Sequence, residues 1–450
     1  MSLPQETSVS ARLGEFVATF RSDDLPDTMR HEAKRSLLNF FGVALGGRFD
    51  PAGDIAFKVV APLSGKPEAT AIGYGQKLDI LNAAFMNALN ANVLEFDDTH
   101  MPTVIHPTSP VAPPLFALAE RKRVPGRALI DAFVLGVEIA CRAGTSVAPG
   151  QYARGWHVTA TCGVMGAAAA SARLVGLGPA ETAHALGIAA SEAAGLVENL
   201  PTGAKNVQVG NAARNGLLAM LMAQQGYTAA PQAIEGPRGW ARAMGDPPRM
   251  NILLNELGRS WELTKNAYKA YPCGIVLAPV IDACLELRRR HNVKAADIDQ
   301  VIVRGNSLLL ARADRPVVPD DRIAKLSIQH SVAISFLFGS AGVKEFSDID
   351  DGAVVALRGR VNAEADDAIP MEHAVVIVRT KSGPTFDVHI KEARGSLEKP
   401  LTDSEIETKV RELAKLGAPR VDVSRLIDAV WALDTSDDAG SLMALTAARD

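Results

Sequence analysis

The stretch LEFDDTHMPTVIHPTSP, residues 94–110, concentrates groups that can take up and release protons. Carboxylates precede two histidines, His100 and His106, and a threonine, Thr99, lies among them. Imidazole and carboxylate side chains are common general acids and bases in enzymes. Three prolines restrict the backbone, and a rigid loop can hold such groups in place. The stretch therefore predicts an acid–base site; alternatively, the carboxylates cap the next helix and the histidines are solvated.

Three further segments carry polar side chains at predicted helix starts or breaks. His157, in RGWHVTATCG, lies at a predicted helix N-terminus, which favours anions. Lys205, in PTGAKNVQVG, precedes another helix start where backbone N–H groups face an anion. Lys269 lies between two tyrosines in NAYKAYPCG, so its ammonium group is expected to be partly desolvated. Taken singly, each segment also fits a purely structural histidine or a solvated lysine.

The composition excludes several classes of protein. The formal net charge of −4 leaves no broad basic surface, so no nucleic-acid partner is expected. No apolar run of about 18 residues occurs, and no membrane span is expected. The four cysteines form no CxxC pair, and the N-terminal residues lack the apolar segment of a signal peptide. These features favour a cytoplasmic protein with reduced thiols.

Metal and dinucleotide cofactors are not predicted. The spacing of His100 and His106 on a loop is not a standard zinc pattern, and no HExxH motif supports it. The glycine-rich pieces do not form GxGxxG after a strand. We therefore expect a site built from the chain's own side chains.

The elements that position these residues fall into two groups. Residues 1–263 have helical apolar spacing, with Gly or Pro between nearly every pair of helices, and predict a large all-helical domain. Residues 264–400 contain a strand, DIDQVIVRG, and a hairpin joined by Lys-Ser-Gly-Pro, which predict a smaller α+β lid domain. Residues 401–450 begin with a capping box and predict helices that return to the helical domain. The predicted class is mostly α.

Five segments occur in a particular order: EFDDTHMPTVIHPTSPVAPPLFALAE, GWHVTATCGVMGAAAASARLVGL, KNVQVGNAARNGLLAMLMAQQG, KAYPCG and AKLSIQHSVAISFLFG. Together they resemble the MmgE/PrpD family over nearly the whole chain. Its members include 2-methylcitrate dehydratase, cis-aconitate decarboxylase and iminodisuccinate epimerase. The resemblance implies a homodimer that acts without a metal or organic cofactor on small di- or tricarboxylates in a cleft between its domains.

The resemblance also implies the site residues. The implied catalytic residues are Asp98, His106, His157, Lys205 and Lys269. The implied substrate-binding residues are Thr99, Glu95 and Arg312.

Three positions depart from the family's pattern. Glu95 stands where relatives often have aspartate, and Arg312 stands where the decarboxylase relative has a tyrosine. Many relatives have a histidine a few residues after the YPC motif. This chain has the sequence GIVLA there, at residues 274–278, and Ala278 is the last of these five residues. The last change removes a proton donor for a leaving group, and Arg312 adds a positive charge.

The shared chemistry is removal of a proton next to a carboxylate, which builds an enolate that cationic side chains stabilise. His106 or His157 would be the base, Asp98 would orient a histidine, and Thr99 would bind a carboxylate. Because the histidine near Ala278 is missing, we expect a two-base epimerase of an iminodisuccinate-like acid. The alternatives are a 2-methylcitrate-like dehydratase and a carboxylate binder that has lost catalysis.

Overall fold

In the computed structural model, which describes residues 8–245 and 247–447, the chain divides into two compact units. The helical unit contains three stretches of the chain: residues up to 93, residues 97–266 and residues from 402 onwards. The second unit contains the other two stretches: residues 94–96 and 267–401. The mostly α class is confirmed, and the role of the second unit as a lid stays a prediction.

The first part of the helical unit is a series of helices connected by short turns. They are α1 (Val9–Thr19), α2 (Asp27–Gly46), α3 (Pro51–Val60), α4 (Ile80–Asn92), α5 (Thr108–Arg121), α6 (Gly126–Val147), α7 (Gly150–Ala153), α8 (Val158–Val175), α9 (Pro179–Ser191), α10 (Ala204–Gln224) and α11 (Trp240–Met244). The side chain of Asp79 caps α4 by accepting hydrogen bonds from two backbone N–H groups in its first turn.

Small residues allow the central helices to pack closely. Gly136 on α6 lies so near α8 that an added Cβ would be 2.7 Å from the carbonyl oxygen of Gly166. The same distance separates a Cβ built on Gly166 from the carbonyl oxygen of Gly136. In the part of the chain that the structure describes, only α8 is long and apolar enough to cross a membrane, so the expectation that no apolar run of about 18 residues occurs is wrong for this helix. Its residues are mostly buried within the helical unit, as in a core helix.

The expectation of an all-helical domain is wrong in one respect. Two short strands, β1 (Ala69–Ala71) and β2 (Gln76–Leu78), form an antiparallel pair between α3 and α4. A third short strand, β3 (Asp98–His100), lies within the acid–base stretch. Strands of three residues are too short to show a period-2 pattern, so the sequence gives little signal for them.

The second unit combines a sheet with helices. The strand β4 (Asn266–Tyr268) crosses into this unit, which then contains a four-stranded sheet of order β6-β5-β7-β8. Its strands are β5 (Ile298–Gly305), β6 (Val361–Ala365), β7 (Ala374–Thr380) and β8 (Thr385–Ile390). The predicted hairpin is confirmed as the antiparallel pair β7–β8, whereas β6, parallel to β5, was not predicted. The helices are α12 (Ala278–His291), α13 (Ser307–Ala313), α14 (Asp321–Ala324), α15 (Ile328–Phe338), α16 (Val343–Ser347) and α17 (Gly352–Arg358).

Two last helices, α18 (Asp403–Gly417) and α19 (Val423–Trp431), belong to the helical unit. The predicted capping box is confirmed: Thr402 Oγ1 accepts from the N–H of Glu405, and Glu405 Oε2 accepts from the N–H of Thr402. α18 packs on α2, where a Cβ on Gly42 would lie 2.8 Å from Val410 Cγ2.

Candidate active site

The acid–base stretch is buried rather than solvated. After β3 the chain makes a tight turn and reaches α5 at Thr108. His100 is fully buried, and the side chain of His106 is only 12% exposed. The alternative in which both histidines are solvated is therefore wrong. The buried setting means that each polar atom here needs a partner within the protein.

Contacts at Nδ1 fix the ring of His106. Its Nδ1 lies 2.8 Å from the main-chain oxygen of Asp98 and 3.3 Å from Thr99 Oγ1. A carbonyl oxygen only accepts, so Nδ1 is assigned the proton and donates it. In the neutral ring the basic atom is then Nε2. This arrangement suits a general acid or base, because Nδ1 fixes the ring while Nε2 reacts.

Asp97 is a site residue that the sequence analysis did not single out. Its Oδ1 lies 3.5 Å from His106 Nδ1, and its Oδ2 accepts from Asn92 and Ser109 at 2.7 and 3.1 Å. A carboxylate at this distance stabilises the charge of a protonated imidazole. The signal in the sequence was its place in the acidic stretch, but nothing there separated it from Asp98.

The Asp98 carboxylate is completely buried. Its Oδ2 accepts from Thr108 Oγ1 and, at 2.6 Å, from Asn266 Nδ2. Its Oδ1 has no hydrogen-bond partner among the described residues. Burial raises the pKa of Asp98 to about 7, although both hydrogen bonds act to lower it. The expected contact with a histidine is therefore made by the main chain of Asp98 and not by its carboxylate.

His157 is the N-cap residue of α8, as predicted. Its Nδ1 lies 2.7 Å from Gln208 Oε1, and its backbone N–H donates to the oxygen of Gly195 at 3.0 Å. The amide oxygen of Gln208 accepts, so Nδ1 is again assigned the proton and Nε2 is the basic atom of the neutral ring. Gln208 lies on α10, three residues after Lys205, and was not predicted as a site residue.

Hydrogen bonds connect the three segments within the helical unit. The backbone N–H of His106 donates to Thr159 Oγ1 at 3.2 Å, in the first turn of α8. Asn206 donates to Asn92 Oδ1 at 3.0 Å, and Asn92 in turn donates to Asp97. Two paths of hydrogen bonds thus connect the His106 loop to the starts of α8 and α10.

Lys205 lies in the first turn of α10, and it is buried. It is therefore not the solvated lysine of the alternative interpretation. A buried lysine at a helix start is suited to bind a carboxylate, since both the ammonium group and the backbone N–H groups attract anions.

Lys269 is held within the second unit. Its Nζ donates to the main-chain oxygen of Glu95 at 2.9 Å and lies 3.6 Å from Glu95 Oε2. Glu95 has a left-handed backbone with φ of 55°, which is uncommon for a residue with a side chain. Lys269 is only 3% exposed, so it is not a snorkelling surface lysine.

Arg312 and Ala278 also belong to the second unit. Arg312 lies on α13 and is partly buried, while Ala278 is the buried first residue of α12. Burial raises the pKa of Cys273 to about 12, which keeps its thiol protonated and unsuited to act as a nucleophile.

Two surface cavities of the helical unit, of about 450 and 1100 Å³, include none of the candidate residues. Within residues 8–245 and 247–447, no group of three or more His, Cys, Asp or Glu side chains could hold a metal ion.

The sequence matches the MmgE/PrpD N-terminal domain over residues 11–253 and the MmgE/PrpD C-terminal domain over residues 271–435. The chain belongs to the MmgE/PrpD family. Among curated proteins it is 28% identical to a cis-aconitate decarboxylase-like protein, oryM, of Aspergillus oryzae, covering 98% of this chain and 97% of the relative. It is 28% identical to cis-aconitate decarboxylase of Aspergillus terreus, over 98% and 96% of the two chains. The human cis-aconitate decarboxylase is 26% identical, over 97% and 94%.

The expectation of an epimerase is wrong. The similar curated proteins are named cis-aconitate decarboxylase or cis-aconitate decarboxylase-like, and a decarboxylase is a lyase and not an isomerase. The expectation depended on the missing histidine near Ala278, which argued against a leaving-group acid. A decarboxylation needs no such acid, because carbon dioxide leaves without a proton.

Proposed function

We propose that this protein is a lyase that removes carbon dioxide from a small unsaturated polycarboxylate of the cis-aconitate type. The observation that carries the proposal is the fixed His106 ring, whose Nδ1 donates to the Asp98 carbonyl while Asp97 stands 3.5 Å away. The family and the named activity of the relatives support it.

The reaction requires a proton at one carbon after carbon dioxide has left. When the carboxylate on the CH2 arm departs, its bonding electrons form a new C=C bond to the central carbon. The electrons of the original double bond move to the carbon next to the remaining terminal carboxylate. That carbanion is delocalised into the carboxylate, so cationic side chains and hydrogen-bond donors stabilise it. Protonation at this carbon completes the product, and all atoms of the substrate appear in the product and carbon dioxide.

His106 is the proposed proton donor. In its protonated form the ring keeps Nδ1–H on the Asp98 carbonyl and delivers the proton from Nε2. Asp97 stabilises the imidazolium before the transfer, and Thr99 Oγ1 supports the same nitrogen. The neutral ring then regains a proton from solvent.

Lys205 and His157 are the proposed binding groups of the helical unit for substrate carboxylates. Both lie at helix starts, where backbone N–H groups add to the attraction of an anion. The catalytic role of Lys269 and the substrate-binding roles of Glu95, Thr99 and Arg312 stay predictions, as do the homodimer and the cytoplasmic location.

A second candidate reaction is dehydration of a 2-methylcitrate-like hydroxy acid. The observation that favours it is the second fixed histidine: His157, like His106, has its Nδ1 held by an acceptor and its Nε2 as the reactive atom. One histidine would then remove a proton and the other would protonate the leaving hydroxyl.

The test is to incubate the protein with cis-aconitate and with 2-methylcitrate in D2O and to follow products by NMR and carbon dioxide release. We expect decarboxylation of cis-aconitate with one deuterium incorporated next to a carboxylate. Asp97→Asn should lower kcat by about 100-fold, the lower end of the range that acid–base groups contribute. The control Asp50→Asn changes a buried helix cap of the same unit and should leave kcat unchanged.

Three results would count against this proposal. Dehydration of 2-methylcitrate without decarboxylation would favour the second candidate. Binding without turnover of either acid would favour a carboxylate binder. Full activity in Asp97→Asn would remove Asp97 from the proposed mechanism.

A further inference from the structure

A second buried histidine lies six residues before the proposed proton donor in the chain. His100 is fully buried, and its Nε2 lies 2.9 Å from Glu262 Oε2. Its Nδ1 lies 2.7 Å from the hydroxyl of Thr103, and that hydroxyl accepts from the N–H of Ile105 at 3.3 Å. The proposed mechanism uses none of these side chains, although the chain of contacts ends one residue before His106.

The chemistry of each group fixes the direction of every hydrogen bond. The Glu262 carboxylate only accepts, so His100 carries its proton on Nε2. Nδ1 is then an acceptor, and Thr103 must donate its hydroxyl proton to it. Burial lowers the pKa of His100, which favours the neutral ring, although the contact with Glu262 acts to raise it. Burial acts to raise the pKa of Glu262, but hydrogen bonds from His100 and Lys265 lower it to about 2, so this carboxylate is ionised.

The turn that this chain holds is a strained one. The main-chain oxygen of His100 accepts from the N–H groups of Thr103 and Val104 at 3.2 and 2.8 Å. The N–H of His100 donates to the main-chain oxygen of Ile105 at 2.8 Å. Val104 has φ of 55°, a left-handed conformation that is unfavourable for a β-branched residue. Such a conformation persists only where the surroundings determine it. His106 follows Ile105 directly, so the turn leads straight into the proposed proton donor.

Glu262, at the other end of this series of hydrogen bonds, is bonded to the core of the helical unit. The N–H of Glu262 donates to Glu138 Oε2 at 2.7 Å, on α6. Glu138 also accepts from Arg142 Nε, and Arg142 donates to the oxygen of Ser260 at 3.0 Å. The turn is therefore connected to a central helix and not to a mobile surface segment.

We propose that Glu262, His100 and Thr103 form a positioning chain that holds the turn before His106, so that His106 Nε2 meets the substrate in the reactive geometry. The three residues are positioning residues, since they act through the turn and not on the substrate. The inference rests on the proposed role of His106 as the proton donor.

The test compares two substitutions at one position with a control elsewhere. Thr103→Val keeps the shape and removes the hydroxyl, whereas Thr103→Ser keeps the hydroxyl. Thr446→Val is the control, because Thr446 is equally buried in the same unit and donates to a main-chain oxygen at 2.7 Å. We expect Thr103→Val to lower kcat by about 10- to 100-fold with KM nearly unchanged, since an error of about 1 Å in position costs about 100-fold. Thr103→Ser and Thr446→Val should keep kcat within about two-fold, well below that loss.

Amide hydrogen exchange gives a readout that needs no substrate. Thr103→Val should speed exchange in the peptide covering residues 98–106, where the N–H groups of His100 and Val104 are bonded within the turn. Thr446→Val should not. If Thr103→Val does not fold, Thr103→Cys, with its weakly bonding thiol, carries the same expectation with less disturbance.

The outcomes separate the two proposals. If the wild-type protein turns over no polycarboxylate, the proposed function fails, and the exchange experiment still tests the turn. If the wild-type protein is active but Thr103→Val matches Thr446→Val in both kcat and exchange, the positioning chain is refuted. Loss of kcat in Thr103→Ser as well would also refute it, because the hydroxyl would then not be the determinant.

Discussion

Replacing Asp98 by asparagine should make the stability of the protein less dependent on pH between about pH 5 and pH 7. The reason is the completely buried Asp98 carboxyl group, whose pKa burial raises from 3.8 to about 7. Asparagine has nearly the same shape, can still accept from Thr108 and Asn266 through its oxygen, and does not titrate.

The sign follows from proton binding in the two states. Between pH 3.8 and about 7 the folded protein keeps the Asp98 proton and the unfolded chain does not. The folded state binds more protons, so the contribution of Asp98 to stability is fully present below pH 3.8 and is lost as the pH rises to about 7. One proton corresponds to about 1.4 kcal/mol per pH unit. The free energy of unfolding of the wild type should therefore fall by about 3 kcal/mol relative to Asp98→Asn from pH 5 to pH 8, most of it below pH 7.

The assay is urea unfolding of both proteins at several pH values, from which the difference in free energy of unfolding is taken. The difference cancels the other titrating groups, including Glu138, whose pKa burial also raises to about 7. Infrared difference spectra at pH 6 supply a second measurement: subtracting the variant spectrum from the wild-type spectrum should leave the protonated carboxyl band of Asp98, while the band of Glu138 cancels. A difference that stays flat from pH 5 to pH 8 would refute the reasoning.

Two further predictions concern a site residue and a helix cap. Gln208→Leu removes the acceptor that fixes His157 Nδ1, so kcat or KM should worsen by about 10-fold or more in steady-state kinetics, whereas Gln208→Glu keeps an acceptor and should lose less. Wild-type kinetics in Gln208→Leu would show that the His157 tautomer does not matter. Thr402→Ala removes half of the capping box of α18 and should lower the free energy of unfolding by about 1 kcal/mol in urea titrations. Thr408→Ala, at an exposed position within the same helix, is the comparison and should change stability less.

Local signals in the sequence were sufficient for several elements. Asp79 and Thr402 marked helix starts because their side chains accept from backbone N–H groups within three residues. Lys-Ser-Gly-Pro marked the β7–β8 hairpin because two strands of apolar β-branched character flank it. His157 was also placed correctly at the start of α8, although its side chain makes no capping hydrogen bond. Each of these features depends on residues close together in the chain.

The contacts that define the site depend on residues far apart in the chain, and the sequence could not pair them. His100 and Glu262 are 162 positions apart, and His157 and Gln208 are 51 apart. Asp97 and Asp98 are adjacent and of the same type, yet only the fold decides that one carboxylate faces His106 and the other faces Asn266. The strand β6 was missed because its five residues, VNAEA, include only one strongly β-forming residue.

The discontinuous helical unit has a consequence for synthesis of the chain. The face of α2 that includes Gly42 is covered by Val410 on α18, which is translated more than 360 residues later. At about 5–20 residues per second, a ribosome needs roughly 20 to 70 seconds to synthesise the chain from Gly42 to Val410. During this interval residues 267–401 leave the ribosome, and they contain nearly all of the residues of their own hydrophobic core. The face of α2 that packs on α18 is meanwhile exposed to water. This face of α2 therefore stays exposed, and open to aggregation, until α18 leaves the exit tunnel.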